Sequence, residues 1–123
     1  MNVNNYIDLT KTYVALLNKH NRKRIIPMLI DEATYHSSFF GESKSSQTIN
    51  EMMVKFFSRF SNAYWDVAEY RCIEENSVEF EFIMTATDAI SDEHIEWHGV
   101  EQIHFTTDNL ISCIAVRKQD ESR

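Results

Sequence analysis

The sequence has few of the residues that punctuate a chain: two glycines, one proline and two cysteines among 123 residues. With so little glycine, flexible linkers and glycine-rich phosphate loops are excluded. No GxGxxG or GxxxxGK[ST] pattern is present. No run of 18 apolar residues occurs, so no membrane-spanning helix is expected. Basic residues are also scarce: 12 Lys and Arg stand against 19 Asp and Glu, a formal net charge of −7. A polyanion partner requires a basic stripe that releases counterions. The one basic cluster, KHNRKR (Lys19 to Arg24), is short and reads as a charged turn, so no nucleic-acid partner is expected. Cys72 and Cys113 form no CxxC pair, which points away from metal and redox motifs. The opening MNVNNYIDLTK lacks a basic segment leading into an apolar core, so no secretory leader is expected. The two thiols are then expected to be structural and reduced, in a cytoplasm.

The length fits one domain with one core, spanning residues 1–123. From Val3 to Asn18, apolar side chains recur at helical spacing: Val3, Tyr6, Ile7, Thr10, Tyr13, Val14 and Leu17 form one stripe. After the turn NKHN, a shorter helix is predicted over Lys23 to Ile30, with Pro27 inside it as a kink. ATYH reads as a short β-prone run, and Gly41 to Ser46 as a polar loop. Thr48 is expected to open the next helix through a capping box with Glu51. Its apolar face carries Ile49, Met52, Met53, Phe56, Phe57 and Phe60.

Beyond SNAY the period falls from about 3.6 to 2. Strands are predicted over Tyr64 to Glu74, Ser77 to Thr87, Glu96 to Thr107 and Leu110 to Lys118. The first and last pairs are joined by connections short enough for antiparallel hairpins. Val78, Phe80, Phe82 and Met84 share one face of their strand. Glu79 and Glu81 share the other, read as solvated. The tail QDESR is expected to fray. The order is α-α-β-α followed by four long strands, an α+β domain with helices on one face of a curved antiparallel sheet.

This order and the wording of YVALLNKHNRKRIIPMLIDEATYH, SQTINEMMVKFF and GVEQIHF resemble the NTF2-like superfamily. That is the cone-shaped fold of nuclear transport factor 2, ketosteroid isomerase, scytalone dehydratase and SnoaL-type polyketide cyclases. The resemblance spans nearly the whole chain and implies a ligand pocket inside the cone. It also implies a dimer formed through the outer sheet face. Function still has to come from the pocket residues, because the fold hosts both enzymes and binders.

Ketosteroid isomerase, a worked example of tuned acidity, uses an aspartate base and an oxyanion hole of a tyrosine and a protonated aspartic acid. By this resemblance Tyr13 matches the tyrosine, and Glu101 in GVEQIHF matches the protonated acid. The base position, after DEATY, holds Ser37 beside His36, with no aspartate. The isomerase's supporting tyrosines fall at Leu29 and Met53. Tyr13, His36 and Glu101 are the candidate catalytic residues. Ser37, Met53, Phe57, Trp65, Phe80, Phe82 and Ile114 are the expected pocket walls.

Each has an ordinary alternative. Glu101 shares a strand face with Gly99, Ile103 and Phe105, where desolvation would raise its pKa and let it act as an acid. It would otherwise pair with a base. Tyr13 would otherwise be a core tyrosine with a satisfied hydroxyl. His36 suits proton transfer at neutral pH, but a strand alternates its faces, so His36 and Ser37 cannot both point inward along it. His94, His98 and His104 fall opposite Glu101. Histidines four apart on a strand are separated by roughly 13 Å, too far to share a metal. Trp65 and Trp97 are wall or interface residues.

Three readings follow. The first is a small apolar molecule bound in the cone, with proton transfer of isomerase, dehydratase or cyclase type and no cofactor or metal. The second is a binding module without chemistry, favoured by the missing aspartate. The third is a structural dimer whose cone is filled by its own Phe and Met side chains.

Overall fold

A computed structural model describes residues 3–119, with side chains from residue 5. The Val3 side chain and residues 120–123 of the expected frayed tail lie outside the described residues. Gln119 is hydrogen-bonded, its backbone N–H donating to the His98 carbonyl at 3.1 Å.

Helix α1 covers Val3–Asn18 and buries Tyr6, Thr10, Tyr13, Val14 and Leu17, the expected stripe. Helix α2 is a single turn, Arg22–Ile25, followed by a 3-10 turn at Ile26–Met28. The longer helix expected to reach Ile30 stops because Pro27 has no N–H to continue the ladder. Strand β1 takes over at Leu29–Ser37. A three-residue turn leads into β2, Gly41–Ser43, where a polar loop was expected. Gly41 sits at φ +91, a conformation that residues with a Cβ rarely adopt.

Helix α3 spans Ser46–Arg59. Its cap differs from the expected Thr48–Glu51 box. Ser45 is the cap: its Oγ accepts from the Thr48 N–H at 3.0 Å, and Thr48 Oγ1 accepts from the Ser45 N–H at 3.0 Å. Threonine here takes the role that glutamate or glutamine fills in the usual box.

Strands β3 (Tyr64–Glu74), β4 (Ser77–Thr87), β5 (His94–Phe105) and β6 (Ile111–Lys118) complete the chain. The sheet is open and six-stranded, in the order β2-β1-β6-β5-β4-β3. It is mixed rather than wholly antiparallel, because β1 runs parallel to β6. Register shifts interrupt β1, β3 and the end of β5. Such irregularities bend a strand and increase its twist. The helices cover one face, where Tyr6 stacks on Phe105 at 5.0 Å. The Asn18 side chain ties α1 to β3, accepting from the Trp65 N–H at 2.7 Å and donating to the Trp65 carbonyl at 3.0 Å.

The other face is not simply solvated. Glu81 is exposed, but Glu79 is only 3% exposed. Arg71, its cross-strand neighbour, reaches Glu79 Oε2 at 2.6 Å, and Gln102 donates to Oε1 at 2.8 Å. A carboxylate can stay charged at that depth because these groups replace its water.

Candidate functional site

The concave face closes on a narrow cavity that every layer of the fold helps to build. Helix α1 contributes Tyr13 and Leu17. Strand β1 and its turn contribute Tyr35, Ser37, Phe39 and Phe40. Helix α3 contributes Met52, Met53, Phe56 and Phe57. The sheet contributes Trp65, Phe82, Trp97, Glu101 and Val116. The concavity encloses about 520 Å³ of non-atom space, mouth included, but only about 40 Å³ admits the centre of a water molecule. That is room for about three waters. A larger guest fits only if lining side chains move.

The lining rings interlock. Phe39 stacks on Trp97 at 4.7 Å, and Phe40 meets Phe56 edge-on at 5.2 Å. Trp65 lies 5.7 Å from Phe56 and 6.2 Å from Phe57. Both tryptophans are therefore wall residues.

Glu101 is the acidic residue of this cavity and is 3% exposed. Among the described residues, no cation lines the cavity with it. Desolvation pushes its carboxyl from the usual 4.5 to about 8, against a smaller downward pull from the Tyr13 hydroxyl, which donates to it. At pH 7 the acid is mostly neutral. Burial likewise raises Tyr13 well above its usual value, with the nearby carboxyl adding to the effect. Glu101 Oε2 is buried and has no partner. A buried polar atom left unpaired costs about 1–3 kcal/mol unless something else meets it. The cavity is where a ligand oxygen or a water would do so.

Tyr13 and Glu101 thus line one cavity, together with Ser37, Met53, Phe57, Trp65 and Phe82. Phe80 and Ile114 are wholly buried in the core beneath and do not line the cavity. Leu29 is likewise core. His36 points the other way. Its side chain is 47% exposed, and Nδ1 lies 2.9 Å from Glu42 Oε2 across the β1–β2 hairpin. Strand alternation explains this: with Ser37 inward, His36 must face out. The proton-moving role expected of His36 is therefore set aside. His98 lies outside with Glu96 at 2.7 Å, and His104 pairs with Ser77 at 2.6 Å.

Tyr35 was missed. The same alternation that turns His36 out turns Tyr35 in, two residues before Ser37. Burial holds its hydroxyl well above the usual tyrosine value, with the nearby Glu101 carboxyl adding to the effect and the Ser37 side chain pulling the other way.

Helices laid over the concave face of an open sheet, with a buried acid between tyrosines, define an NTF2-like cone. The SnoaL-like domain model matches residues 10–114, and the chain belongs to that family. Among solved structures it is similar to a putative polyketide cyclase from Xanthomonas campestris pv. campestris. That match has TM-score 0.82 and 10% identity, covering 94% of this chain and 91% of the other. An NTF2-like protein of unknown function from Exiguobacterium sp. 255-15 superposes with TM-score 0.79 at 14% identity, covering 92% and 99%. AclR, a putative hydroxylase from Streptomyces galilaeus, gives 0.78 at 20% identity, covering 94% and 79%. At such identities the likeness concerns the fold. No curated protein matches the sequence.

Proposed function

We propose that this domain binds a small apolar carbonyl compound in its cone, where Glu101, held neutral and backed by Tyr13, polarises the carbonyl oxygen. The observation that carries this is the buried Glu101 carboxyl with Oε2 unpaired at an otherwise aromatic cavity. A neutral acid in a dry site donates a strong hydrogen bond and stabilises negative charge developing on the oxygen it meets. Isomerisation, dehydration and aldol-type cyclisation all pass through such a charge. Cyclisation, the chemistry named for the Xanthomonas neighbour, falls in the same class.

A second reading, binding without chemistry, is favoured by one observation. Among the described residues, the cavity carries no titratable side chain besides Glu101 and the tyrosines. Nothing else is placed to take a proton from carbon. Isomerisation of cyclohex-3-enone to its conjugated isomer, followed by ultraviolet absorbance, separates the two. Turnover abolished by Glu101→Gln and Tyr13→Phe supports catalysis. Saturable binding without turnover selects the binding module. Neither binding nor turnover overturns both and leaves a cone filled by its own side chains.

The expected partner of the convex sheet face is a second copy of the chain. Half-exposed Ile73 and Ile83 on the outer strands β3 and β4 support it, and sedimentation of a monomer at micromolar concentration would remove it. We likewise propose a cytoplasmic location, on the low cysteine content of the sequence and its lack of a CxxC pair.

A further inference from the structure

Two hollows meet at one pair of rings. Inside lies the narrow cone. Outside it, at the end of β6, a second hollow is bordered by Glu96, His98, Lys118 and Gln119. Phe39 and Trp97 line both. Their rings, 4.7 Å apart and inclined by only 15°, form the wall that the two hollows share.

Phe39 is a half-buried ring on a lightly held turn. The turn lies between β1 and the three-residue β2, at the edge of the sheet. The Phe39 N–H donates to Ser37 Oγ at 3.0 Å, a tie to a side chain and not a rung of the sheet. The ring has somewhere to go, because the outer hollow opens beside it. Its neighbours decide what the vacated place would take. Trp97 offers an indole face at stacking distance. The Lys118 ammonium lies 5.9 Å from the centre of the same Phe39 ring. Both interactions need an aromatic face, and a saturated ring makes neither.

Strand alternation sets Trp97, Gly99 and Glu101 on the concave face of β5, with Trp97 and Glu101 roughly 13 Å apart. Gly99 between them has no side chain, and the tip of the Phe82 ring lies over it. A guest with its oxygen at Glu101 therefore extends across Phe82 towards Trp97.

We propose that Phe39 is a displaceable plug that sets ring specificity: a guest with an aromatic ring at the end remote from its carbonyl pushes the Phe39 ring into the outer hollow and stacks on Trp97 in its place. This rests on the reading of the cone given above. It also accounts for the narrowness of the shut cone, because the guest's ring takes space that Phe39 fills when the site is empty. A guest with a saturated ring breaks the same stack and puts nothing equivalent back.

The test compares 4-phenylbutan-2-one with 4-cyclohexylbutan-2-one by isothermal titration calorimetry. The two share the chain and the carbonyl. The second carries a saturated, more apolar ring. The wild type is expected to prefer the phenyl ketone about 2- to 12-fold, the range of one aromatic pair. Phe39→Ala removes the competing ring and is expected to bind both ketones more tightly, by about the same factor. Truncating an ordinary wall residue would do the opposite. Trp97→Leu is expected to abolish the preference for the phenyl ketone. In the free wild type a through-space NMR contact should join the Phe39 ring to the Trp97 indole. The phenyl ketone is expected to replace it with a contact from its own ring. Equal or weaker binding by Phe39→Ala, or a Phe39–Trp97 contact that survives saturation, overturns the plug and leaves the reading of the cone standing. Equal Kd for the two ketones in the wild type, or a preference that persists in Trp97→Leu, overturns the ring specificity. Neither ketone bound by the wild type or by Phe39→Ala overturns the reading of the cone and this inference with it.

Discussion

Replacing Glu101 by glutamine should change how stability depends on pH more than it changes stability itself. Glutamine has the shape of the neutral acid and cannot ionise. In the folded wild type the carboxyl titrates near 8, and unfolded it returns to the usual 4.5. Between those values the folded state holds a proton that the unfolded state has released. Stability is therefore fully present below about pH 4.5 and is lost as pH rises through the folded value. Each pH unit of that interval is worth about 1.4 kcal/mol, so the whole span is on the order of 5 kcal/mol. For a domain of this size that is roughly 15–20 °C in Tm, and a large share of an ordinary total stability. Thermal and urea unfolding of both proteins from pH 5 to 9 would measure it. The difference between the two curves isolates Glu101, since every other titrating group is shared. The variant should be close to the wild type at pH 5 and clearly more stable at pH 9. Parallel curves would refute the reasoning, because they would mean that the carboxyl ionises as it does in water.

Gly99→Ala drives a Cβ into the tip of the Phe82 ring. The ring should swing into the cavity, costing about 1–3 kcal/mol by urea unfolding and weakening binding of the carbonyl probe. Ser45→Ala should cost about 1 kcal/mol as a lost helix cap. Glu51→Ala should cost almost nothing, which circular dichroism melts of the pair can separate. Asp88 is held down to about 2, chiefly by its hydrogen bonds from Arg59 at 3.1 and 2.7 Å. The stability from that pair is present above the usual carboxylate range and lost as pH falls towards 2. Asp88→Asn should flatten the acid limb of the unfolding profile.

The strands β3 and β4 begin and end where their alternation predicts, because each pairs with a neighbour through a short connection and has one apolar face. Strand β1 was harder to read. Its register against β6 shifts between Leu29 and Thr34, which breaks the alternation that would reveal it. Its partner lies some eighty residues away, where no local pattern can announce a parallel pairing. Glu79 misled for a different reason. A charge in an alternating strand reads as solvated until the arginine opposite it is known, and Arg71 becomes its partner only through the register of β3 on β4. At the site, Tyr13 and Glu101 were legible because a stripe and a strand face both pointed inward. Tyr35 was legible by the same rule, since alternation from Ser37 turns Tyr35 inward and His36 outward. The narrowness of the cavity was not legible, since it depends on how Phe39 and Phe40 fold back over Trp97 and Phe56.

Everything proposed for the site depends on the protonation of Glu101. Carbon-13 NMR of protein labelled at the glutamate carboxyl carbons, titrated from pH 4 to 10 with Glu101→Gln to assign the signal, reads it directly. One carboxyl should titrate near 8, and that signal should be missing from the variant. A Glu101 signal that titrates near 4.5 would contradict the neutral acid, and with it the polarised carbonyl.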